Sequence, residues 1–325
     1  MTTYHDPFWY GITVMVTGVK GLIGRPLTKM LLDLGCNVHG FDLLMGAPEG
    51  FKSYEGYSHH RGNIQSKQRL YDAMEGCDLV IHLAANSGVE ASASEGVTAW
   101  TANFMGTLTV MESARRRGNI PVVFASTNHV YGEQGGVPTD ENAPMLRLDT
   151  YSASKIAADY CVRSYAFQYG VPAVVLRNTN CFGADDPHVD HIIPGTVRAF
   201  VSGKVPVIKS NGLTKKSYLY VDDVARAYIA AAKYAIEERP RGEIFNITGE
   251  PPISTRDLVY LIREVMGSDT RPEVLGRHRE DDVSENLDDS KAREVLGWAP
   301  EVSLREGIVR VVESFQVRYG NGVLA

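Results

Sequence analysis

The sequence predicts an α/β protein whose core is a doubly wound parallel sheet. Short runs of β-branched residues alternate with helical patterns up to residue 177, which is the rhythm of repeated strand–helix–strand units. A glycine-rich turn joins the first strand to the first helix. A chain of 325 residues with 44% hydrophobic content can bury such a sheet together with a second, smaller unit.

The predicted elements follow one another regularly in the first half of the chain. The first strand is the apolar run 12–16, and the amphipathic segment 27–34 forms the first helix. The later strands are predicted at 37–41, 78–83, 122–125 and 173–177, and the later helices at 97–117 and 151–169. Beyond residue 177, proline, glycine and short elements interrupt the pattern. We therefore expect one domain over 1–177 and a smaller one over 178–325.

The turn after the first strand carries Gly18, Gly21 and Gly24, with Leu22 and Ile23 between the last two. This spacing is G-x-x-G-x-x-G rather than G-x-G-x-x-G. Glycines let the backbone turn sharply and approach a pyrophosphate, whose charge then lies against the free N–H groups and positive end of the helix. The turn therefore predicts a dinucleotide site.

Asp42 ends the second predicted strand, close to the position, about 20 residues after the glycines, where a dinucleotide site places an acid on the ribose hydroxyls. Its carboxylate would repel a 2′-phosphate. The sequence therefore favours NAD over NADP as the cofactor.

Tyr151 and Lys155 lie four residues apart, so they share one face of the predicted helix 151–169. A free phenol titrates near pH ~10 and is a poor base at neutral pH unless a nearby cation stabilises the phenolate. Lys155 could supply that cation. Taken alone the spacing is common among exposed helical pairs, but beside a dinucleotide site it points to redox chemistry at a carbinol carbon.

Charge and cysteine usage exclude other classes of function. The net charge of −6 gives no general attraction for nucleic acid or an anionic membrane. There is no apolar run of ~18 residues and no signal-peptide pattern, so we expect a cytoplasmic protein. The cysteines have no metal-ligand spacing, so we predict no metal site and four free thiols, at Cys36, Cys77, Cys161 and Cys181.

Further motifs make the chain resemble the extended short-chain dehydrogenase/reductases that act on nucleotide sugars, over nearly its whole length. None is decisive by itself, but their order is specific. Besides the glycine turn and the Tyr151–Lys155 pair, they are the segments 61–64 (RGNI), 82–85 (HLAA), 103–107 (NFMGT), 126–127 (ST), 130–132 (VYG), 176–180 (LRNTN), 218–223 (YLYVDD), 288–292 (DDSKA) and 296–298 (LGW).

The resemblance implies a Rossmann domain that binds NAD and to which about 218–247 returns, partly interleaved with the substrate domain. It places Asn63, Ile64, Leu83, Ala84 and Ala85 in the cofactor site. Asn63 replaces an Asp that often holds the adenine amino group, and an amide can still hydrogen-bond there. The resemblance also implies a homodimer formed by the helices 97–117 and 151–169.

The same resemblance assigns the catalytic residues. Tyr151 would take the proton from a sugar hydroxyl as hydride leaves its carbon, and Lys155 would lower the pKa of Tyr151 and hold the nicotinamide ribose. The hydroxyl of Thr127 would hold the same sugar oxygen. Asn103 resembles an Asn near the active site, although an Asn that ties a helix to a strand explains it equally well.

Asn128 and His129 depart from part of the family, because the 4,6-dehydratases carry an Asp-Glu pair there. Removal of the C5 proton and protonation of the departing hydroxyl need an acid–base pair. Asn cannot act in this way, whereas an imidazole titrates near neutrality, so His129 is a candidate acid–base group and a structural role is the alternative.

The residues implied for the substrate are Ser87, Thr127, Asn128, His129, Asn180, Lys216 and Arg279. Asn180, Lys216 and Arg279 would meet the diphosphate, where Lys216 replaces an Arg and acts as a point charge without the bidentate fork. We favour C4 epimerisation of a nucleotide sugar by transient oxidation. The alternatives are a 4,6-dehydratase, a net sugar dehydrogenase/reductase, and a regulator that binds NAD(H) without turnover.

Overall fold

The structure is a computed structural model that describes residues 6–134, 137–184, 186, 188, 191–277 and 283–319. Of these, residues 89–91, 318 and 319 are described by their backbone alone. The strands are β1 Thr13–Thr17, β2 Asn37–Asp42, β3 Tyr57–Arg61, β4 Leu79–His82, β5 Val122–Thr127, β6 Ala173–Asn178, β7 Asn180–Phe182, β8 Val207–Ile208, β9 Lys215–Lys216, β10 Tyr218–Tyr220, β11 Arg241–Ile247, β12 Ile253–Ser254 and β13 Glu273–Val274.

The α-helices are α1 Gly24–Asp33, α2 Lys67–Ala73, α3 Val89–Ser94, α4 Gly96–Trp100, α5 Gly106–Arg116, α6 Thr150–Tyr169, α7 Ile192–Val201, α8 Val221–Glu237, α9 Thr255–Val265, α10 Ser290–Leu296 and α11 Leu304–Tyr319. Short 3-10 turns lie at Pro7–Trp9, Phe51–Ser53 and Asn128–Tyr131, and a π-helical turn lies at Thr101–Met105.

A parallel sheet of seven strands in the order β11-β6-β5-β4-β1-β2-β3 forms the centre of the molecule. The strand order reverses at β1, because β2 and β3 extend to one side while β4, β5 and β6 extend to the other. This confirms the predicted doubly wound sheet. In such sheets a crevice opens outside the carboxyl ends of the strands at the point of reversal.

Helices cover both faces of this sheet because its central strands are apolar on both sides. Val14 of β1 packs with Leu27 of α1 and Ala231 of α8 on one face. The next residue of β1, Met15, points to the opposite face and packs with Met111 of α5. The sheet is therefore buried in a three-layer sandwich that holds the strand ends in place.

The helix predicted over 97–117 is interrupted, which the sequence pattern did not indicate. The π-helical turn Thr101–Met105 separates α4 from α5 and contains the buried Asn103. The amide of Asn103 accepts from the backbone N–H of Asn86 at 2.7 Å and donates to Ser154 of α6 at 2.9 Å. Such turns redirect a side chain within a helix. Here the turn lets Asn103 tie the loop after β4 to α6.

The second half of the chain builds a smaller group of elements beside the carboxyl edge of the sheet. Helices α7, α9 and α11 share an apolar cluster with β10, in which Val197, Tyr220 and Ile308 are buried. Between these elements the chain passes through α8, which packs on α1, and β11, which pairs with β6. The predicted division at residue 177, with a return over 218–247, stays a prediction.

Within the described ranges, no helix is both long enough and apolar enough to cross a membrane. The four cysteines are free thiols, and Cys36 and Cys77 are buried.

A buried ion pair joins β6 to α6. Arg177 on β6 has 1% of its side chain exposed, and Asp159 on α6 has 0%. The guanidinium donates to both carboxylate oxygens of Asp159, at 3.0 and 3.2 Å, and to the hydroxyl of Tyr131 at 2.8 Å. Because each charge is withdrawn from water, removal of one partner leaves the other uncompensated.

We therefore expect Asp159→Asn to lower the free energy of unfolding by about 3–5 kcal/mol. The matched control is Asp33→Asn, which removes the exposed partner of Lys29 and should cost less than about 1 kcal/mol. Urea unfolding followed by circular dichroism measures both variants. Equal effects of the two substitutions would contradict the buried-pair interpretation.

Candidate active site

A cleft of about 690 Å³ opens at the carboxyl ends of the central strands. Most of the predicted site residues line it: Gly18, Gly21, Leu22, Ile23, Gly24, Asp42, Asn63, Ile64, Leu83, Ala84, Ala85, Ser87, Thr127, Asn128, His129, Tyr151, Lys155 and Asn180. Lys216, on β9, lies outside this lining. Arg279 falls within 278–282, outside the described residues.

The glycine turn is packed so closely that side chains would not fit. Gly18 has a φ of +70°, and a Cβ there would lie 2.9 Å from the backbone nitrogen of Ala84. A Cβ on Gly24 would lie 2.3 Å from the carbonyl oxygen of Gly18. The N-terminus of α1, at Ile23, has no side-chain cap. An anion can therefore approach this helix end against the bare backbone.

Asp42 lies beside this turn because β1 and β2 are neighbours in the sheet. Its carboxylate accepts from the backbone N–H of Lys20 and of Leu44, both at 3.0 Å. These two bonds fix the acid at the edge of the cleft, where ribose hydroxyls could donate to its remaining lone pairs.

A buried network holds the segment Leu83–Ala84 on the opposite wall. The hydroxyl of Thr17 accepts from the backbone N–H groups of both residues at 3.1 Å and lies 2.7 Å from Nδ1 of His82. Nε2 of His82 lies 3.0 Å from the hydroxyl of Thr107. Burial lowers the pKa of His82 to about 3, so the imidazole is neutral at physiological pH.

Helix α6 presents the Tyr151–Lys155 pair to the cleft. Asp149 caps the helix, since its carboxylate accepts from the backbone N–H of Ser152 at 3.0 Å. Burial raises the pKa of Tyr151 to about 12, although a hydrogen bond with Thr127 opposes that shift. Thr127, at the end of β5, thus lies against the phenol, and its contact with a substrate oxygen stays a prediction.

Lys155 is nearly enclosed and directs its ammonium group at β5. Its Nζ donates to the carbonyl oxygen of Ala125 and lies 4.5 Å from the centroid of the Phe124 ring. Burial lowers the pKa of Lys155 to about 7. Burial thus raises the pKa of the phenol and lowers the pKa of the amine, and the lowering of the Tyr151 pKa by Lys155 stays a prediction.

Asn128 and His129 meet a residue that sequence reasoning missed. Oε2 of Glu285 accepts from Asn128 at 2.6 Å and from Asn180 at 3.2 Å, and its Oε1 lies 3.4 Å from Nδ1 of His129. Lys216 lies close enough to lower the pKa of Glu285. Nothing in the sequence pattern signals this contact, because 157 residues separate Glu285 from Asn128.

A second unpredicted cluster lies at the cleft margin. Asp186, His188 and His191 each bring a potential metal-ligand atom within 4.8 Å of the others. Both imidazoles are hydrogen-bonded to the buried carboxylate of Asp186, through Nδ1 at 3.1 Å and 2.8 Å. Burial raises the pKa of Asp186, but these bonds outweigh it and hold the pKa at about 2. The trio is therefore satisfied internally as a carboxylate with two hydrogen-bonded imidazoles.

Residues 14–248 match the NAD dependent epimerase/dehydratase family. The chain belongs to this family. It is 32% identical over 313 residues to a UDP-glucose 4-epimerase of Mycolicibacterium smegmatis, covering 93% of this chain and 98% of the relative.

Solved structures of family members superpose on the chain. A UDP-glucose 4-epimerase of Thermotoga maritima, solved with UDP-glucose, has a TM-score of 0.87 at 28% identity and covers 94% of this chain and 99% of its own. A double mutant of a dTDP-glucose 4,6-dehydratase of Streptomyces venezuelae, solved with NAD, has a TM-score of 0.86 at 26% identity. The match covers 94% of this chain and 98% of the dehydratase chain.

The residues present fit the family's NAD. The turn at Gly18 and Gly24 leaves bare backbone where a pyrophosphate would approach, and the uncapped start of α1 suits its charge. Asp42 is placed to receive ribose hydroxyls, whereas it would repel a 2′-phosphate. Tyr151 and Lys155 lie farther along the same cleft.

The neutral state of buried His82 makes the stability of the protein sensitive to acid. The unfolded chain protonates this imidazole below its ordinary pKa of about 6.5, whereas the folded chain does so only near a pKa of about 3. The unfolded state thus binds more protons in this window, and stability falls as the pH falls through it. We expect His82→Gln to reduce the loss of unfolding free energy between about pH 7.5 and about pH 5 by about 2 kcal/mol.

Urea titrations of wild type and His82→Gln at the two pH values test this expectation. The comparison uses the change in the free energy of unfolding between the two pH values within each protein. A destabilisation by the substitution that is the same at both pH values therefore cancels. An identical pH dependence in both proteins would show that His82 is not the group responsible.

Proposed function

We propose that the protein uses NAD to oxidise a nucleotide sugar transiently at C4 and returns the electrons to give the C4 epimer. The observation that carries this proposal is the convergence of Thr127, Tyr151 and Lys155 at one end of a cleft whose other end is the glycine turn and Asp42. The UDP-glucose and dTDP-glucose enzymes similar to this chain support a nucleotide sugar as the substrate.

The roles of the side chains follow from their placement. The phenol of Tyr151 accepts the proton of the C4 hydroxyl during oxidation and returns it afterwards, while Thr127 holds the same oxygen. Lys155, buried behind the same strand end, is the cation available to make the phenol more acidic. When bound, NAD supplies a reversible two-electron acceptor.

The opposite end of the substrate would lie toward Asn180. This amide lines the cleft and also donates to Glu285 and to the carbonyl oxygen of Ser217. Lys216 on the adjacent β9 would approach the diphosphate as a cation, and Arg279 is a further candidate from the sequence.

Dehydration is the second candidate reaction. It is favoured by the position of His129 in the cleft lining, and a dTDP-glucose 4,6-dehydratase of Streptomyces griseus is 29% identical to this chain over 310 residues. A net dehydrogenase/reductase uses the same first step. A regulator that binds NAD(H) without turnover has no chemical need for the triad of Thr127, Tyr151 and Lys155.

The proposal includes a cytoplasmic location and a role in carbohydrate biosynthesis. Four free thiols are typical of a reducing compartment. Activated sugars are the usual donors for assembling carbohydrates, so an enzyme that alters them would supply such assembly.

Purified protein incubated with UDP-, dTDP-, GDP-, CDP- and ADP-sugars tests the proposal by product mass and absorbance at ~340 nm. We expect an isobaric product without net NADH. Tyr151→Phe should slow this conversion by about 10²–10⁴-fold, because a positioned acid–base group contributes that much. Tyr260→Phe, at an exposed position of α9, is the matched control and should retain activity.

Other outcomes separate the alternatives. Loss of one water identifies a dehydratase, and loss of two hydrogens with stoichiometric NADH identifies a dehydrogenase. NAD binding with no product from any sugar, unaltered by Tyr151→Phe, would favour the regulator and reject the enzyme.

We also propose a homodimer formed by the helices 97–117 and 151–169. These helices expose large apolar side chains, including Trp100 at 41%, Tyr160 at 56% and Phe167 at 77%. Tyr160 and Phe167 lie seven residues apart and therefore on one side of α6. Such an exposed apolar face is typical of an interaction surface.

Light scattering at micromolar concentration should give twice the chain mass of 35.7 kDa. Phe167→Glu should shift the protein toward the monomer, because a carboxylate would be buried without a partner. Val317→Glu, at an exposed position of α11, serves as the control and should leave the dimer intact. A monomeric wild type would refute the proposal.

A further inference from the structure

A buried carboxylate and two imidazoles meet at the margin of the cleft. Asp186 has 0% of its side chain exposed, whereas His188 and His191 are 41% and 43% exposed and line the cleft. The carboxylate thus lies behind the imidazoles, which separate it from the open volume. Each of the three groups offers a potential ligand atom, and these atoms lie within 4.8 Å of one another.

The backbone brings the three side chains together at the start of α7. The backbone N–H of His188 donates to Oδ1 of Asp186 at 2.9 Å, and the backbone N–H of His191 donates to the carbonyl oxygen of His188 at 3.0 Å. His191 is the N-cap residue of α7, but its imidazole makes no capping bond and contacts Asp186. The cluster therefore has one buried, fixed member and two members that can move.

The separations between the ligand atoms suit one small metal ion. Nδ1 of His188 lies 3.1 Å from Oδ1 of Asp186, and Nδ1 of His191 lies 2.8 Å from Oδ2. Neighbouring ligand atoms around a tetrahedral Zn²⁺ lie about 3.3 Å apart, because each lies about 2.0–2.2 Å from the ion. Small outward shifts of the two half-exposed imidazoles would therefore admit an ion between them and the carboxylate.

Hydrogen bonding within the cluster and metal coordination use the same atoms. A neutral imidazole that donates from Nδ1 to Asp186 can carry its proton on Nε2 instead, which leaves the Nδ1 lone pair for an ion. The ion then replaces the two Nδ1 hydrogen bonds with coordinate bonds. Because those hydrogen bonds already hold the three groups together, the ion meets an ordered set of ligands.

The donor set selects the class of ion. Imidazole nitrogen suits Zn²⁺ and its neighbours among the transition metals, and two imidazoles with one carboxylate are a ligand set that Zn²⁺ uses in enzymes. Mg²⁺ takes oxygen ligands in octahedral geometry. We propose that Asp186, His188 and His191 form a binding site for Zn²⁺, with the carboxylate and the two Nδ1 atoms as its protein ligands.

Three protein ligands leave one position of a tetrahedral ion open. That position faces the cleft, because both imidazoles line the cleft and the buried Asp186 lies behind them. Water or an anionic donor that enters the cleft can occupy it. The site goes beyond the proposed function, since proton transfer at Tyr151 requires no metal ion, and its occupancy can be measured without any sugar.

Zn²⁺ binding by untagged, metal-free protein tests the site. Equilibrium dialysis against ZnCl₂, followed by metal analysis, should give a single Zn²⁺ per chain in the wild type, and an excess of MgCl₂ should not displace it. His188→Gln and His191→Gln should each weaken binding by at least about 100-fold, because loss of even an outer partner of a metal ligand can cost that much.

His60→Gln is the matched control, because it makes the same substitution at a partly buried His that contacts Ser58 outside the cluster. It should bind Zn²⁺ as the wild type does. Circular dichroism of each variant identifies any loss of Zn²⁺ that comes from unfolding. Binding that persists unchanged in both His188→Gln and His191→Gln would place the ion elsewhere, for example on a thiol, and would overturn the proposal.

Co²⁺ in place of Zn²⁺ tests the coordination and the open position, because its visible spectrum depends on its ligands. The wild type should give the strong visible absorption of a tetrahedral ion, and sodium azide should change that spectrum by occupying the open position. His191→Gln should give neither signal. A spectrum that azide leaves unchanged would contradict the open position, and a wild type that binds neither ion would reject the site.

Discussion

The contact between the glycine turn and the end of β4 is the constraint on which the site depends. Gly18 lies so close to Ala84 that a Cβ would meet the Ala84 backbone nitrogen, and a Cβ on Gly24 would lie even closer to the Gly18 carbonyl oxygen. This contact brings the start of α1 to the point where the strand order reverses. The cleft opens there, and β2 delivers Asp42 beside it. The position of the cofactor site thus depends first on backbone packing, and the side chains that line the site act within that framework.

The reacting end of the cleft depends on how α6 crosses β5. Lys155 donates to the carbonyl of Ala125 two residues before Thr127, so one contact sets the height of the helix relative to the strand end. Behind it the buried pair of Arg177 and Asp159 joins the same helix to β6. Burying Lys155 costs free energy that is visible in its lowered pKa of about 7. With a pKa of about 7 the amine is partly protonated near neutrality, and an anion close to it would favour its charged form.

Sequence reasoning located what local patterns encode and missed what only tertiary contacts create. The strands, the glycine turn, Asp42 and the Tyr151–Lys155 pair could be predicted because each follows from spacing within a few residues. Glu285 could not, since its partners lie more than a hundred residues earlier and a single Glu in a polar run has no periodicity. The π-helical turn was missed because no local pattern signals it, although it carries Asn103 to its distant contact with Ser154.

The position of Glu285 gives Asn128 and His129 a contact that the sequence did not predict. Asn128 places an amide directly after the end of β5. This amide holds a carboxylate supplied by another segment, and that carboxylate faces the adjacent imidazole. Packing can position a carboxylate on a separate segment, such as that of Glu285, independently of β5. Two adjacent side chains at the end of β5 are instead constrained by the same stretch of backbone. The contacts of Glu285 with Asn128, Asn180 and His129 therefore join a distant segment of the chain to the part of the cleft that Tyr151 lines.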